Sequence, residues 1–428
     1  MVQRVKTDKS IKYLETTKEV YPLVTAYYEE AERVKNDHSK AVVWFTGGGT
    51  PELAWAFEDI LPVYPENFNA YCATRQITPE LLEIAESAGY AHDLCGYFRN
   101  CYGYMLGGKD LPLGFAGGGL PVPDILIADS DACLMHLKWW RQAQRFYDYK
   151  VPTYIIDIPY ISPRMSYKNI ERHYLEYVMA QIKECLQFIG NVMGRKLDED
   201  RLKEVIRLSD KAAELFDEVQ ELRKAVPCPA GSEDILACIM PLVQWSGSQA
   251  AVDFYTKLRN EVREKVAQGK GVVPEEKFRI FFDNIPPWFT LGLFNYLHKF
   301  NAVSVQEAYT YLFHLDGERM DPDKPYESLA RRYIASDWYN VSVKETIHDL
   351  VGKKMIDYNI DGVIAYILYG CKITSGFMPE QRNILEEKFG VPSLLLEGDM
   401  VDPRDYQDAQ VKNRIDAFFE MLDNRGKR

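Results

Sequence analysis

Two stretches decide the fold: VPDILIADSDAC, Val122 to Cys133, and DGVIAYILYGC, Asp361 to Cys371. Each holds a short apolar run without polar alternation. That pattern marks a strand buried on both faces, as in parallel sheets covered by helices. Each run leads into a cysteine. Ligands of open α/β sheets bind beyond the carboxyl ends of the strands. Two thiols delivered to that edge from distant segments could therefore meet over one soft metal centre.

Working outward, AVVWFT (Ala41 to Thr46) and VPTYIIDI (Val151 to Ile158) read as further strands alternating with helical stretches, a βαβ pattern that implies a parallel sheet. Residues 1–40 read as polar and helical. Gly47, Gly48 and Gly49 follow the first strand, and Thr50 is placed to cap a helix that has Pro51 at its first position and runs through ELAWAFEDIL. Residues 1–164 are expected to form the first α/β domain. Residues 165–270 hold long amphipathic segments, such as HYLEYVMAQIKECLQFIG, and read as a helical connector closed by QGKGVVPEE (Gln268 to Glu276). Residues 271–428 read as a second α/β domain. Its strands are EKFRIFFD, DGVIAYIL and PSLLLEG (Pro392 to Gly398). A helix is expected over VSVKETIHDLVGKKMIDY, and another over the terminal VKNRIDAFFEMLDN. The expected fold class is α/β, with two parallel-sheet domains.

The 428 residues are 46% hydrophobic and 27% charged, enough apolar matter for a large core. A net charge of −12 argues against a broad nucleic-acid-binding face. No apolar run reaches bilayer-spanning length, and MVQRVKTDKS lacks the apolar core of a signal peptide. A cytoplasmic chain, with neither nucleic acid nor membrane as partner, is the expectation.

The cysteines are Cys72, Cys95, Cys101, Cys133, Cys185, Cys228, Cys238 and Cys371, with no C-x-x-C pair, so zinc ribbons and ferredoxin-type runs are absent. A single free cysteine is most often a small buried apolar residue. Cys95 and Cys101 share the aromatic-rich segment GYAHDLCGYFRNCYGYM, from which a third ligand could join Cys133 and Cys371. Three thiolates fit a [4Fe–4S] cluster whose fourth iron is open, whereas four would give a closed one. Zinc held by three cysteines competes.

Three other features carry chemistry. The Gly47–Gly49 run lets backbone approach a ligand at a helix start, though its spacing is neither that of a dinucleotide fingerprint nor that of a P-loop. Glu66, in VYPENFNAY, could donate or accept a proton beside that loop; a solvated carboxylate is the plainer reading. Arg404, in DMVDPRDY, sits at the carboxyl edge of the second sheet, as a ligand-binding arginine or as half of a loop ion pair. No histidine pair has metal-site spacing, and His136 reads as a helix-face residue near Cys133. There is no G-x-S-x-G elbow.

The stretches LPVYPEN, EIAESAGYAHDLCGYFRN, LPVPDILIADSDACLMHLKWW, EEKFRIFFDNIPPW, IDGVIAYILYGCK and LLLEGDMVDPRDY together resemble the 2-hydroxyacyl-CoA dehydratase and benzoyl-CoA reductase family. The resemblance runs over nearly the whole chain and implies two flavodoxin-like domains joined by helices. It also implies one [4Fe–4S] cluster held by three cysteines, falling here on Cys95, Cys133 and Cys371, with the family's glutamate on Glu66. A serine of some dehydratases falls on or beside Gly47, so that hydroxyl is missing. The tail VDPRDYQDAQVKNRIDAFFEMLD and the segment DPDKPYESLARRYIASDWYN look closer to the B-type subunit of benzoyl-CoA reductase. The implied activity is single-electron reduction of an acyl-CoA thioester, as an aromatic acyl-CoA reductase subunit. The alternatives are ketyl-radical removal of water by a dehydratase subunit, and a scaffold or electron-relay subunit. A fused double-cubane cluster would need about six thiolates, and the resemblance accounts for three. The implied partners are the thioester, a paralogous second α/β subunit, and a separate ATP-hydrolysing iron–sulfur activator, since this chain has no P-loop.

Overall fold

The structure, a computed structural model, describes residues 9–47, 51–107, 119–130, 133–159, 168–313, 318–335 and 351–425. Within them lie two four-stranded sheets. The first holds β1 (Ala41–Phe45), β2 (Ile60–Val63), β3 (Ile125–Asp129) and β4 (Thr153–Ile156), in the order β2-β1-β3-β4. The second holds β5 (Phe278–Asp283), β6 (Ala302–Glu307), β7 (Gly362–Leu368) and β8 (Ser393–Gly398), in the order β6-β5-β7-β8. Every strand pairing is parallel. The second sheet thus repeats the order of the first, which is the flavodoxin-like winding. The order reverses between β1 and β3, and again between β5 and β7.

The apolar runs are buried for the reason their composition suggests. Val42 and Trp44 of β1, with Leu126 and Ala128 of β3, face one core. Val43 and Phe45, with Ile125 and Ile127, face the other. Side chains alternate across a strand, so an unbroken apolar run fills both cores at once. The helices Arg172–Met193 and Glu199–Leu222 serve more than connection. Val178, Ile182, Cys185, Leu186 and Ile189 of the first, and Leu202 and Ile206 of the second, close the outer core of the first sheet.

Two expectations need correction. The segment ELAWAFEDIL is helical only over Glu52–Trp55; Ile60 and Leu61 begin β2. Ile60-Leu61-Pro62-Val63 is an edge strand, where proline is tolerated, and its four residues are too short a signal beside a helix start. β6 is a strand beyond those expected, because AVSVQE ends in polar residues. They are buried nonetheless: Glu307 meets Arg223 at 2.7 Å with neither side chain exposed, and Gln306 Oε1 accepts the Glu307 N–H. Of the helix expected over residues 341–358, Gly352–Asp357 is seen; residues 336–350 lie outside the described residues. No described helix is long and apolar enough to cross a membrane.

Candidate functional site

The carboxyl edges of the two sheets face a shared region, and each of three helices begins there with a cysteine at its N-cap. Cys95 precedes the helix Gly96–Leu106, Cys133 precedes Leu134–Phe146, and Cys371 precedes the single turn Lys372–Ser375. Cys133 follows β3 and Cys371 follows β7, equivalent places in two sheets of the same order. The Thr374 hydroxyl donates to Cys371 Sγ at 3.0 Å.

The three sulfurs feel one another. Cys133 interacts electrostatically with both Cys95 and Cys371, and Cys95 with Cys371. The approach depends on glycine. A Cβ on Gly370 would stand 2.7 Å from Cys95 Cα, and one on Gly96 would stand 2.1 Å from Asp399 Oδ1. Cys101, the other candidate, is fully buried with its sulfur 4.0 Å from Met105 Sδ, and belongs to the core.

Burial pushes the Cys95 thiol up to about 12, pushes Cys133 well above the ordinary cysteine value and raises Cys371. Three neighbouring thiolates are costly in such a place unless a cation neutralises them. The donor set fits a soft metal centre with three protein ligands. Zinc–thiolate bonds of about 2.3 Å in a tetrahedron would bring the sulfurs within about 4 Å of one another. Among the described residues the thiols do not form so tight a group; the one that does is Glu86, His92 and Asp402.

Glu66 follows β2 at the start of the helix Pro65–Thr74, and it is buried. His136 Nε2 stands 2.6 Å from Glu66 Oε1, and His136 Nδ1 stands 3.8 Å from Asp129 Oδ1. The Thr46 hydroxyl donates to Asp129 Oδ2 at 2.5 Å. Burial opposes charge on His136, but Glu66 and Asp129 outweigh it and push the ring up to about 10. The two carboxylates thus favour the protonated ring. The spacing of His136 gives no sign of this; position 136 lies one helical turn beyond Cys133, which is the available signal.

A cavity of about 810 Å³ reaches Gly47 and Glu66 from the surface. Tyr97, Trp288, Phe289 and Tyr309 line it with apolar residues such as Met240 and Leu291, and Lys9, Lys18 and Arg75 belong to it as well. A Cβ on Gly47 would lie 3.1 Å from Glu66 Cβ and 3.2 Å from Cδ. Gly48 and Gly49 lie outside the described residues.

Arg404 lies elsewhere. Its guanidinium is 2.5 Å from Glu86 and 2.6 Å from Asp402, beside His92, which bridges Glu86 and Asp405. Arg99, 1% exposed, joins the same carboxylates and Asp399. Guanidinia already hold Glu86 and Asp402, so this cluster reads as a clamp between the helix after Cys95 and the segment after β8.

The chain is 29% identical to the B-type subunit of benzoyl-CoA reductase from Thauera aromatica, over 94% of this chain and 93% of that one. It is 26% identical to the (R)-phenyllactyl-CoA dehydratase alpha subunit of Clostridium sporogenes, over 90% of each. It is 27% identical to the (R)-2-hydroxyisocaproyl-CoA dehydratase alpha subunit of Clostridioides difficile, over 95% of each. The model of the family described as 2-hydroxyglutaryl-CoA dehydratase, D-component, matches residues 50–422, and the chain belongs to that family.

Proposed function

We propose that this chain is the iron–sulfur subunit of a radical-type acyl-CoA enzyme, closest in activity to benzoyl-CoA reductase. The observation that supports the reading is that Cys95, Cys133 and Cys371 each stand at a helix N-cap, two of them just beyond β3 and β7, with the Gly370 backbone packed against Cys95. They would hold a [4Fe–4S] cluster. Such a cluster, when bound, supplies single electrons at low potential to the thioester.

The chain's own residues do the rest. The cavity takes the acyl-CoA, with the thioester beside Gly47 and Glu66 and the phosphate-bearing end toward Lys9, Lys18 and Arg75. The aromatic lining keeps water from the reacting end. Glu66 exchanges a proton with the acyl group, and His136 holds the carboxylate in place. The Gly47 backbone borders the region where negative charge develops on the thioester oxygen.

The reductase reading is favoured by Gly47. A hydroxyl-bearing side chain there would crowd Glu66, and none is present. A 2-hydroxyacyl-CoA dehydratase subunit is the second reading, favoured by the names of the other relatives. The relatives are subunits of larger enzymes, so a second α/β subunit completes this one, and a separate ATP-hydrolysing iron–sulfur protein delivers electrons. The test is anaerobic purification with the partner subunit, followed by assay with the activator on benzoyl-CoA and on 2-hydroxyacyl-CoA thioesters. Ring reduction is expected. Dehydration without ring reduction would transfer the chain to the second reading.

A further inference from the structure

The cavity wall beside Glu66 is built from three aromatic side chains brought from different parts of the chain. Tyr97 lies in the first turn after Cys95, Trp288 follows β5, and Tyr309 follows β6. The Trp288 indole N–H donates to the Tyr97 hydroxyl, and the Trp288 and Tyr309 rings meet edge to face with centroids 5.8 Å apart. All three line the cavity with Glu66. Gly47 lines the same cavity, which puts the wall at the end assigned to the thioester.

We propose that Tyr97, Trp288 and Tyr309 are the specificity-determining residues of the acyl site, selecting a flat uncharged ring and rejecting an acyl chain that ends in a second carboxylate. The inference rests on the reading of the cavity as an acyl-CoA site. Its physical basis is twofold. Aromatic side chains offer a substrate ring offset or edge-on contacts, each worth about two- to twelve-fold in affinity. The hydrogen bond between Trp288 and Tyr97 fixes two of them, so little freedom is lost when a ring enters. A terminal carboxylate would instead sit against aromatic faces, whose quadrupoles repel anions, and near Glu66.

The cations among the described lining residues are on other elements. Lys9 and Lys18 belong to the N-terminal segment, where Lys18 is half exposed and paired with Glu15. Lys12 donates to the Glu233 carbonyl. Arg75 bonds the exposed Tyr21 and lies over the Tyr71 ring. These suit the phosphates of the carrier better than an acyl terminus.

The test measures equilibrium binding of benzoyl-CoA, glutaryl-CoA and free CoA to the anaerobically purified holoenzyme without electron donor. Benzoyl-CoA is expected to bind at least about ten-fold tighter than glutaryl-CoA. Trp288→Leu should shrink that ratio most and Trp288→Phe, which keeps an aromatic face but loses the bond to Tyr97, should shrink it less, while Tyr309→Arg should raise affinity for glutaryl-CoA. Unchanged iron content and near-ultraviolet dichroism establish that each variant is folded. Equal binding of the two thioesters, or a ratio indifferent to Trp288→Leu and Tyr309→Arg in folded protein, overturns the inference alone. Failure of both thioesters and of CoA to bind overturns the functional reading beneath it as well.

Discussion

His136 Nε2 lies 2.6 Å from Glu66 Oε1, and both side chains are buried. The pair joins the element after β2 to the element after β3, one helical turn from Cys133. Removing one partner of a buried ion pair leaves the other charge uncompensated, at a cost of about 3–5 kcal/mol. His136→Gln is expected to lower turnover more than it lowers affinity for the thioester, because the proton-handling carboxylate loses its partner. Steady-state kinetics check this; a loss confined to KM would remove His136 from the proton pathway. Glu66→Gln should keep iron content and lose turnover.

The Gly370 backbone sets how closely two of the thiols approach. A Cβ there would collide with Cys95 Cα and the Leu94 carbonyl oxygen, both backbone atoms that cannot swing aside. Gly370→Ala should therefore part the Cys95 and Cys371 loops and reduce the iron retained after anaerobic gel filtration. Gly107→Ala, where a Cβ would meet nothing within 4 Å, is the control and should retain the iron.

Gly47 offers a test between the two activities. A side chain at this position would press on Glu66 at 3.1–3.2 Å. Gly47→Ser is expected to reduce benzoyl-CoA turnover by displacing the carboxylate from its place beside the thioester. Enhanced turnover of a 2-hydroxyacyl-CoA in that variant, with ring reduction unaffected, would favour the dehydratase reading.

The clamp around His92 predicts a pH dependence. Burial opposes the charge on His92, but its bonds to Asp405 and Glu86 prevail and raise the ring above its usual value of 6.5. A raised histidine stabilises the fold fully below its unfolded value, and the contribution fades as pH climbs through the folded one. The stability difference between the natural chain and His92→Gln should thus be largest below pH 6.5 and shrink as pH rises past it. Urea unfolding at several pH values measures it. A difference that grows with pH would show that the clamp does not act through the imidazolium.

The residues differ in how much they declare in sequence. β3 and β7 are plain because both faces of a central parallel strand must be apolar, and the cysteine after each is then located by topology. β6 is hidden because Glu307 is tolerated inside only through Arg223, a partner more than eighty positions away that no local pattern reveals. β2 is hidden by its length. Choosing between Cys95 and Cys101 also needs tertiary structure, since both lie on or at the start of one helix. Only the packing of Gly370 against Cys95 puts one sulfur at the shared edge and leaves the other in the core. His136 carries no motif; its meaning comes from facing Glu66 across two loops.

The most direct test is the iron and acid-labile sulfide content of anaerobically purified protein, compared with Cys95→Ala, Cys133→Ala, Cys371→Ala and Cys101→Ala. About four irons per natural chain are expected, lost in each of the first three variants and kept in the fourth. Full iron content in any of the first three, or loss in Cys101→Ala of normally folded protein, would contradict the assignment of the three thiols as the cluster's ligands.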